Sequence, residues 1–295
     1  MNKLYSLLAV LLAATLLFTT TGCEPEDPEF GTLNLTLENL EDLGPDYVYE
    51  GWLMFAGSPV STGTFTVDAD GNLNPASFEV DFPTLEGATD FILSIEPFND
   101  ADPAPSNTKV LAGAFSGSSA ALSIGDANAV GTDFSTATGG YIMATPTNGP
   151  ASNETSGVWF LNPTGPVASL DLPTLGDGWI YEGWAVIDGT PVSTGTFRSG
   201  DGPDSGNPHS GSQPAPAFPG EDFFIDPPAG ISFTPAPSLL GATMVVSVEP
   251  VPDNSTAPFV LKPLAHLVDA NATAGTYYTM DSGGLSQHPR GAATR

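Results

Sequence analysis

Positive charge is nearly missing from this chain: six Lys and Arg side chains stand against 34 Asp and Glu over 295 residues, a formal charge of -28. Such a balance repels phosphate backbones and anionic head groups, which excludes nucleic acid as a partner. One cysteine leaves no room for an intramolecular disulfide, a thiolate zinc cluster or a Cys-x-x-Cys redox pair. Three histidines are few for a metal enzyme. The chain is rich instead in turn formers, with 33 Gly and 29 Pro, which rules out a helical bundle and points to a mostly β protein. A hydrophobic content of 40% suffices for a core in each of one or two domains, so wholesale disorder is not expected despite the acidity.

Only one long apolar run occurs, and it lies at the N-terminus. Residues 1 to 23 read MNKLYSLLAVLLAATLLFTTTGC, with Lys3 ahead of an apolar stretch from Leu4 to Phe18 and Thr-Thr-Gly before Cys23. At about 15 residues the run is shorter than the roughly 20 a helix needs to cross a bilayer, and it has the build of a secretory signal. A small residue directly before a lone cysteine resembles the lipobox of bacterial lipoproteins, although Thr20 replaces the aliphatic residue usual three positions ahead of the cysteine. That resemblance implies cleavage after residue 22, acylation of Cys23 and attachment to a membrane by lipid rather than by a span. The following Glu24, Glu26, Asp27 and Glu29, set around two prolines, predict an extended acidic tether over residues 23–30. An acidic stretch in that place also resembles the surface-export signal of some outer-membrane lipoproteins. The expected location is the bacterial cell envelope, at the outer membrane, on its periplasmic or its cell-surface side.

The rest of the chain is one unit written twice. Tyr49-Glu-Gly-Trp-Leu-Met-Phe-Ala-Gly-Ser-Pro-Val-Ser-Thr-Gly-Thr-Phe65 returns 132 residues later as Tyr181-Glu-Gly-Trp-Ala-Val-Ile-Asp-Gly-Thr-Pro-Val-Ser-Thr-Gly-Thr-Phe197. Leu93-Ser-Ile-Glu-Pro97 returns as Val246-Ser-Val-Glu-Pro250 at an offset of 153, followed in both copies by an acidic loop holding Asn99-Asp100 or Asp253-Asn254. The difference of 21 residues locates an insertion in the second copy, and the Gly, Pro and Ser-dominated stretch 198–220 is the candidate, expected to be a mobile surface loop. Asp126-Ala-Asn-Ala129 is answered by Asp269-Ala-Asn-Ala272, and Tyr141-Ile-Met143 loosely by Tyr278-Thr-Met280. These matches place a first unit at 31–150, a second at 151–284 and a frayed tail at 285–295.

The repeated motif has the pattern of a hairpin. Alternation from Tyr47 puts Tyr49, Gly51, Leu53 and Phe55 on one face and Val48, Glu50, Trp52 and Met54 on the other, both largely apolar, as an inner strand covered on each side requires. Ala56-Gly-Ser-Pro59 and Asp188-Gly-Thr-Pro191 supply the reversal. Phe91 to Ile95 and Met244 to Val248 are buried strands ended by Pro97 and Pro250. No segment after Cys23 sustains a helical stripe without Gly or Pro. The expected fold is all-β: two duplicated β-sandwich-like domains in tandem after a helical signal peptide.

Tyr-Glu-Gly-Trp, then Gly-x-Pro-Val-Ser-Thr-Gly-Thr-Phe, then Ser-(Ile/Val)-Glu-Pro before a polar loop resembles the extracytoplasmic C-terminal domain of anti-sigma-K factors of the RskA type. The match covers roughly residues 47–115 and 179–265. It implies two β-rich modules outside the cytoplasm with a task of contact or sensing in the envelope. The family's plan has a transmembrane helix and a cytoplasmic segment that holds a sigma factor. This sequence shows neither, and lacks the Cys/His metal cluster such proteins often carry, so only the module and its contact role carry over.

Chemistry is sparse. Glu50 and Glu182 lie within apolar strands, and Glu96 and Glu249 end buried ones. Each unit could therefore pair two carboxylates as acid and base, though acceptance of hydrogen bonds from indole, phenol or backbone is the favoured role. Asp68, Asp70, Asn72, Asn74 and Glu79 fall at positions 1, 3, 5, 7 and 12 of an EF-hand-like spacing, but Leu73 stands where that loop needs glycine and the second copy has no counterpart. His209, His266 and His288 share no ligand spacing, and no Gly-x-Ser-x-Gly, His-Glu-x-x-His or phosphate-binding glycine loop occurs. Trp52 and Trp184 suit a core better than a sugar platform. The expectation is a non-catalytic envelope protein with no cofactor and no metal site. It would meet the membrane through lipidated Cys23 and bind an unidentified envelope protein or glycan, in anti-sigma-type regulation or, alternatively, as a surface carbohydrate or adhesion module.

Overall fold

A computed structural model describes residues 29–149, 153–165, 167–253 and 255–295. The leader, Cys23 and the tether as far as residue 28 lie outside the described residues. The fold is all-β, built from antiparallel sheets with one short α-helix and three 3-10 turns among the described residues.

The first unit contains β1 (Phe30–Glu38), β2 (Tyr47–Phe55), β3 (Ser58–Val67), β4 (Leu73–Asn74), β5 (Ser77–Asp81), β6 (Asp90–Pro97), β7 (Lys109–Ser116) and β8 (Ser119–Ser123), with helix α1 (Phe82–Gly87) between β5 and β6. β1 starts at Phe30, inside the stretch expected to be tether. Asp81 caps α1 by accepting a hydrogen bond from Thr84 N at 3.1 Å, and a proline opens its first turn. The second unit contains β9 (Gly140–Met143), β10 (Gly157–Trp159), β11 (Leu161–Asn162), β12 (Val167–Ala168), β13 (Trp179–Ile187), β14 (Thr190–Phe197), β15 (Gly220–Asp222), β16 (Thr243–Pro250), β17 (Leu264–Leu267), β18 (Tyr277–Thr279) and β19 (Asp281–Ser282). The chain ends with β20 (Arg290–Thr294).

The duplication is visible as shared register. In β2–β3, Tyr49 pairs with Phe65 and Phe55 with Ser58; in β13–β14, Tyr181 pairs with Phe197 and Ile187 with Thr190. Both two-residue turns have positive φ at both positions, 50° and 81° for Ala56-Gly57 and 50° and 83° for Asp188-Gly189, the conformation that lets a hairpin follow the twist of its strands. Both strand pairs slip register at the same place, between Gly51 and Trp52 and between Gly183 and Trp184. The repeated glycine there is a packing requirement. A Cβ at Gly51 would lie 2.5 Å from Thr62 Oγ1 and 2.9 Å from the Phe91 ring, and one at Gly183 would lie 2.3 Å from Thr194 Oγ1 and 2.8 Å from Phe160.

Only half of each unit repeats. The order β3-β2-β6-β7 corresponds to β14-β13-β16-β17, but the layer that covers each half differs. In the first unit a single nine-stranded sheet, β4-β3-β2-β6-β7-β8-β20-β1-β5, curls until Phe65 on β3 meets Phe78 on β5 at 6.1 Å. In the second unit a separate sheet, β15-β10-β9-β18, supplies the cover, with Phe160 over Gly183 and Tyr141 against His266. One continuous apolar core runs through both units, including Leu33, Tyr49, Phe91, Tyr141, Tyr181 and Val246.

Several boundary expectations are corrected. β9 pairs with β10 and β18, so residues 140–143 belong to the second unit and not to the first, as 31–150 would have it. Tyr141 and Tyr278 are not equivalent positions of the two copies; they face each other across β9 and β18. The tail expected to fray instead contains β20, which fills the slot between β1 and β8, pairing Leu35 with Ala293 on one side and Ala121 with Ala292 on the other. The inserted stretch 198–220 is not a loose loop. Gly200 is buried against Leu170, Asp204 accepts a hydrogen bond from Gly220 N at 2.8 Å, and Ser210 is buried.

Candidate functional site

The repeated Trp and the repeated Ser-x-Glu-Pro build the same polar relay twice, although Trp and Ser stand 42 residues apart in the first copy and 63 in the second. In the first unit Trp52 Nε1 donates to Ser94 Oγ at 2.8 Å, Ser94 donates to the Glu96 carboxylate, and Glu96 Oε1 accepts Ser106 N at 2.8 Å. In the second, Trp184 Nε1 donates to Ser247 Oγ at 2.8 Å, Ser247 donates to Glu249, and Glu249 Oε1 accepts Phe259 N at 3.0 Å. The hydroxyl joins an indole donor to a carboxylate acceptor, which satisfies all three groups where water does not reach. Ser61 and Ser193 likewise donate to Glu50 and Glu182. These carboxylates are therefore engaged in holding strands and loops.

The copies diverge in burial. Glu50 is partly exposed, whereas Glu182 is 6% exposed and its Oε2 has no hydrogen-bond partner. Burial, followed by the charges of Glu249 and Asp253, pushes the Glu182 carboxyl up to about 8. Burial likewise pushes Glu249 up to about 7 against the hydrogen bonds from Ser247 and Phe259. Glu96 also moves upward, chiefly by burial.

The two Glu-Pro loops meet where the ends of the repeated strands face one another. Thr108 Oγ1 donates across this seam to Gly178 O at 3.2 Å and Val251 O at 3.3 Å, and Val260 N donates to Glu41 Oε2 at 2.9 Å. Gly178 is pressed so closely to the first unit that a Cβ there would lie 2.1 Å from Asn107 O. Beside this seam opens a cleft of about 440 Å³. Glu41, Tyr47 and Pro97 line it from the first unit, and Glu249, Val251, Asp253 and Phe259 from the second. Burial raises the Glu41 carboxyl, offset in part by the Val260 N–H and by Lys262. Lys262 is itself lowered by burial.

Of the residues singled out in the sequence, Glu249 lines this cleft, and Glu182 stands behind it next to Asp253. Glu50 and Glu96 form the matching pair in the first unit. The EF-hand-like set does not assemble. Asp68 Oδ1 accepts Asp70 N at 3.0 Å and Asn72 N at 2.9 Å inside the β3–β4 turn, while Asn74 lies on β4 and Glu79 on β5 opposite Thr32. No three His, Cys, Asp or Glu side chains form a metal-holding group among the described residues. His266 Nδ1 meets Tyr141 OH at 2.9 Å, His209 packs on Phe233, and His288 is buried edge-on to Phe134. All four tryptophans are buried, none more than 2% exposed, so they offer no surface platform for a sugar.

Glu41 and Asp253 went unnoticed in the sequence as members of a common site. Asp253 carried a signal, its place in the acidic loop after the second Glu-Pro; Glu41 carried none, because its role arises only when the second unit docks Val260 against it. A second acidic group was also invisible. Asp222 accepts Trp159 Nε1 at 2.7 Å and Thr147 N at 2.8 Å, and Glu221 accepts His209 N at 3.1 Å, so this pair anchors the insertion. No family model, curated protein or solved structure matches the chain.

Proposed function

We propose that this protein is a lipid-anchored component of the bacterial cell envelope that binds or senses a ligand without transforming it, in regulation of the anti-sigma type. The leader and Cys23 support the anchor, and the repeated Glu-Gly-Trp and Glu-Pro motifs support the regulatory kinship. The cleft between the two Glu-Pro loops carries the binding role: it draws apolar and acidic residues from both units into one concave site of about 440 Å³, within the roughly 300–1,000 Å³ of small-molecule sites. The carboxylates best placed for acid–base work, Glu96 and Glu249, are tied to serine hydroxyls and backbone amides, which favours binding over catalysis.

Two measurements test this reading. Palmitate labelling of the full chain should be lost in Cys23→Ser, together with partition into the detergent phase. Cross-linking of the anchored protein in living cells should recover an envelope protein, such as a transmembrane regulator; recovery of polysaccharide alone would reassign the chain to a carbohydrate or adhesion module.

A further inference from the structure

We infer that the cleft takes an organic cation with an apolar body, its ammonium or guanidinium group held by Glu41 and Asp253 and its apolar part lying on Tyr47, Val251 and Pro252. The inference rests on the cleft proposed above as the binding site and names the chemistry it selects.

Charge is the first ground. Four acidic side chains, Glu41, Asp42, Glu249 and Asp253, line the cleft, and no basic one does among the described residues. Lys262 lies near Glu41 and Glu249 and eases their repulsion, but it makes no ion pair with either within 4.0 Å. The second ground is unused acceptor capacity: Glu41 accepts Val260 N through Oε2 and Asp253 accepts Ser255 N through Oδ1, so each keeps an oxygen for a ligand donor. Burial raises the Glu41 carboxyl and pushes that of Glu249 up to about 7, so a cation in the cleft favours their ionised forms. A ligand ammonium brings three donors and a guanidinium five, together with the compensating charge.

Shape then decides the kind of cation. The acidic groups do not converge as a metal-holding set among the described residues, so a cation with spread donors fits better than a point charge. Tyr47, Val251 and Pro252 give the same cleft an apolar side, with the Tyr47 ring able to meet a hydrocarbon body or its cationic end. A small polyamine would leave that side uncovered.

The test is calorimetric titration of the full chain with phenethylammonium chloride, with 2-phenylethanol and spermidine as comparisons. Phenethylammonium should bind about tenfold or more tighter than its neutral isostere, and tighter than spermidine. Proton release on binding at pH 7 should show as a dependence of the heat on buffer ionisation enthalpy. The double variant Glu41→Gln, Asp253→Asn keeps the acceptor oxygens for Val260 N and Ser255 N. It should retain the wild-type melting temperature and lose that preference. The capped dipeptide acetyl-Phe-Lys-amide separates sources: tighter binding than phenethylammonium assigns the cation to a protein segment, weaker binding to a free amine. Equal affinity for amine and alcohol, or an undiminished preference in the double variant, would overturn the inference. So would flat titrations beside a recovered envelope partner, which would leave the binding role standing and remove only the cation.

Discussion

At the residue scale the serine of Ser-x-Glu-Pro is worth more than its size suggests. Ser247 is fully buried and joins Trp184 Nε1 to the Glu249 carboxylate. Ser247→Ala would leave an indole N–H and a carboxylate oxygen short of a partner in a site without water, and should cost about 2 kcal/mol in urea unfolding, as should Ser94→Ala in the first unit. Ser61→Ala should cost less, because its partner Glu50 reaches solvent. Much of this was legible: repetition drew notice to Trp52, Trp184 and the four glutamates, and the favoured role as hydrogen-bond acceptors is the one their geometry shows. The serine link was not legible, because a hydroxyl gives no pattern of its own until register places it between Trp and Glu. Nor could repetition reveal that Glu182 and Glu50 differ, since identical residues acquire different burial from the non-repeated layers that cover them.

At the element scale the hairpin turn permits a gain. Ala56 sits at φ 50° in an exposed two-residue turn, a conformation in which alanine costs about 1 kcal/mol and asparagine less. Ala56→Asn should therefore raise the unfolding free energy by several tenths to about 1 kcal/mol, read from the shift in urea midpoint at constant slope. The final strand permits the opposite. β20 pairs on both sides, and Arg295 fastens its end by donating from Nη1 to Leu85 O at 2.5 Å and Ala88 O at 2.9 Å, and from Nη2 to Gly117 O at 3.2 Å, while lying 4.3 Å over the Phe115 ring. Deletion of residues 290–295 exposes the facing edges of β1 and β8. It should abolish hydrogen-exchange protection in both, with Arg295→Ala intermediate; protection that survives the deletion would show the slot to be dispensable. The sequence Arg-Gly-Ala-Ala-Thr hid this strand because it carries no branched or aromatic run. Its small residues suit a crowded slot, where a Cβ at Gly291 would lie 2.2 Å from Thr36 O and Ala293 is fully buried. Tertiary fit, not propensity, makes it a strand.

At the scale of the whole molecule, buried carboxyls set the response to pH. Glu182 is pushed up to about 8, and Asp204, Glu221 and Glu249 to about 7, in each case mainly by burial. In the unfolded chain these groups release their protons near pH 4, so between there and pH 8 the native state holds more protons than the unfolded one, and stability must fall as pH rises. Their contribution is complete below the unfolded value and lost as the folded values are passed. His288 acts in the other direction: burial holds its imidazole neutral, so it favours folding less as pH drops below its ordinary range. Four carboxyls outweigh one imidazole, and the melting temperature should fall from about pH 5.5 to about pH 8.5. Repulsion among the exposed carboxylates of a chain of formal charge -28 gives a slope of the same sign, but salt screens exposed charges and spares buried ones. The separating measurement is the same pair of melts in about 0.5 M salt: the decline should persist in the wild type and be shallower in Glu182→Gln, which keeps an acceptor for Ser193 while removing the titrating group. A decline that vanishes with salt would place its origin in the surface charge and not in the buried carboxyls.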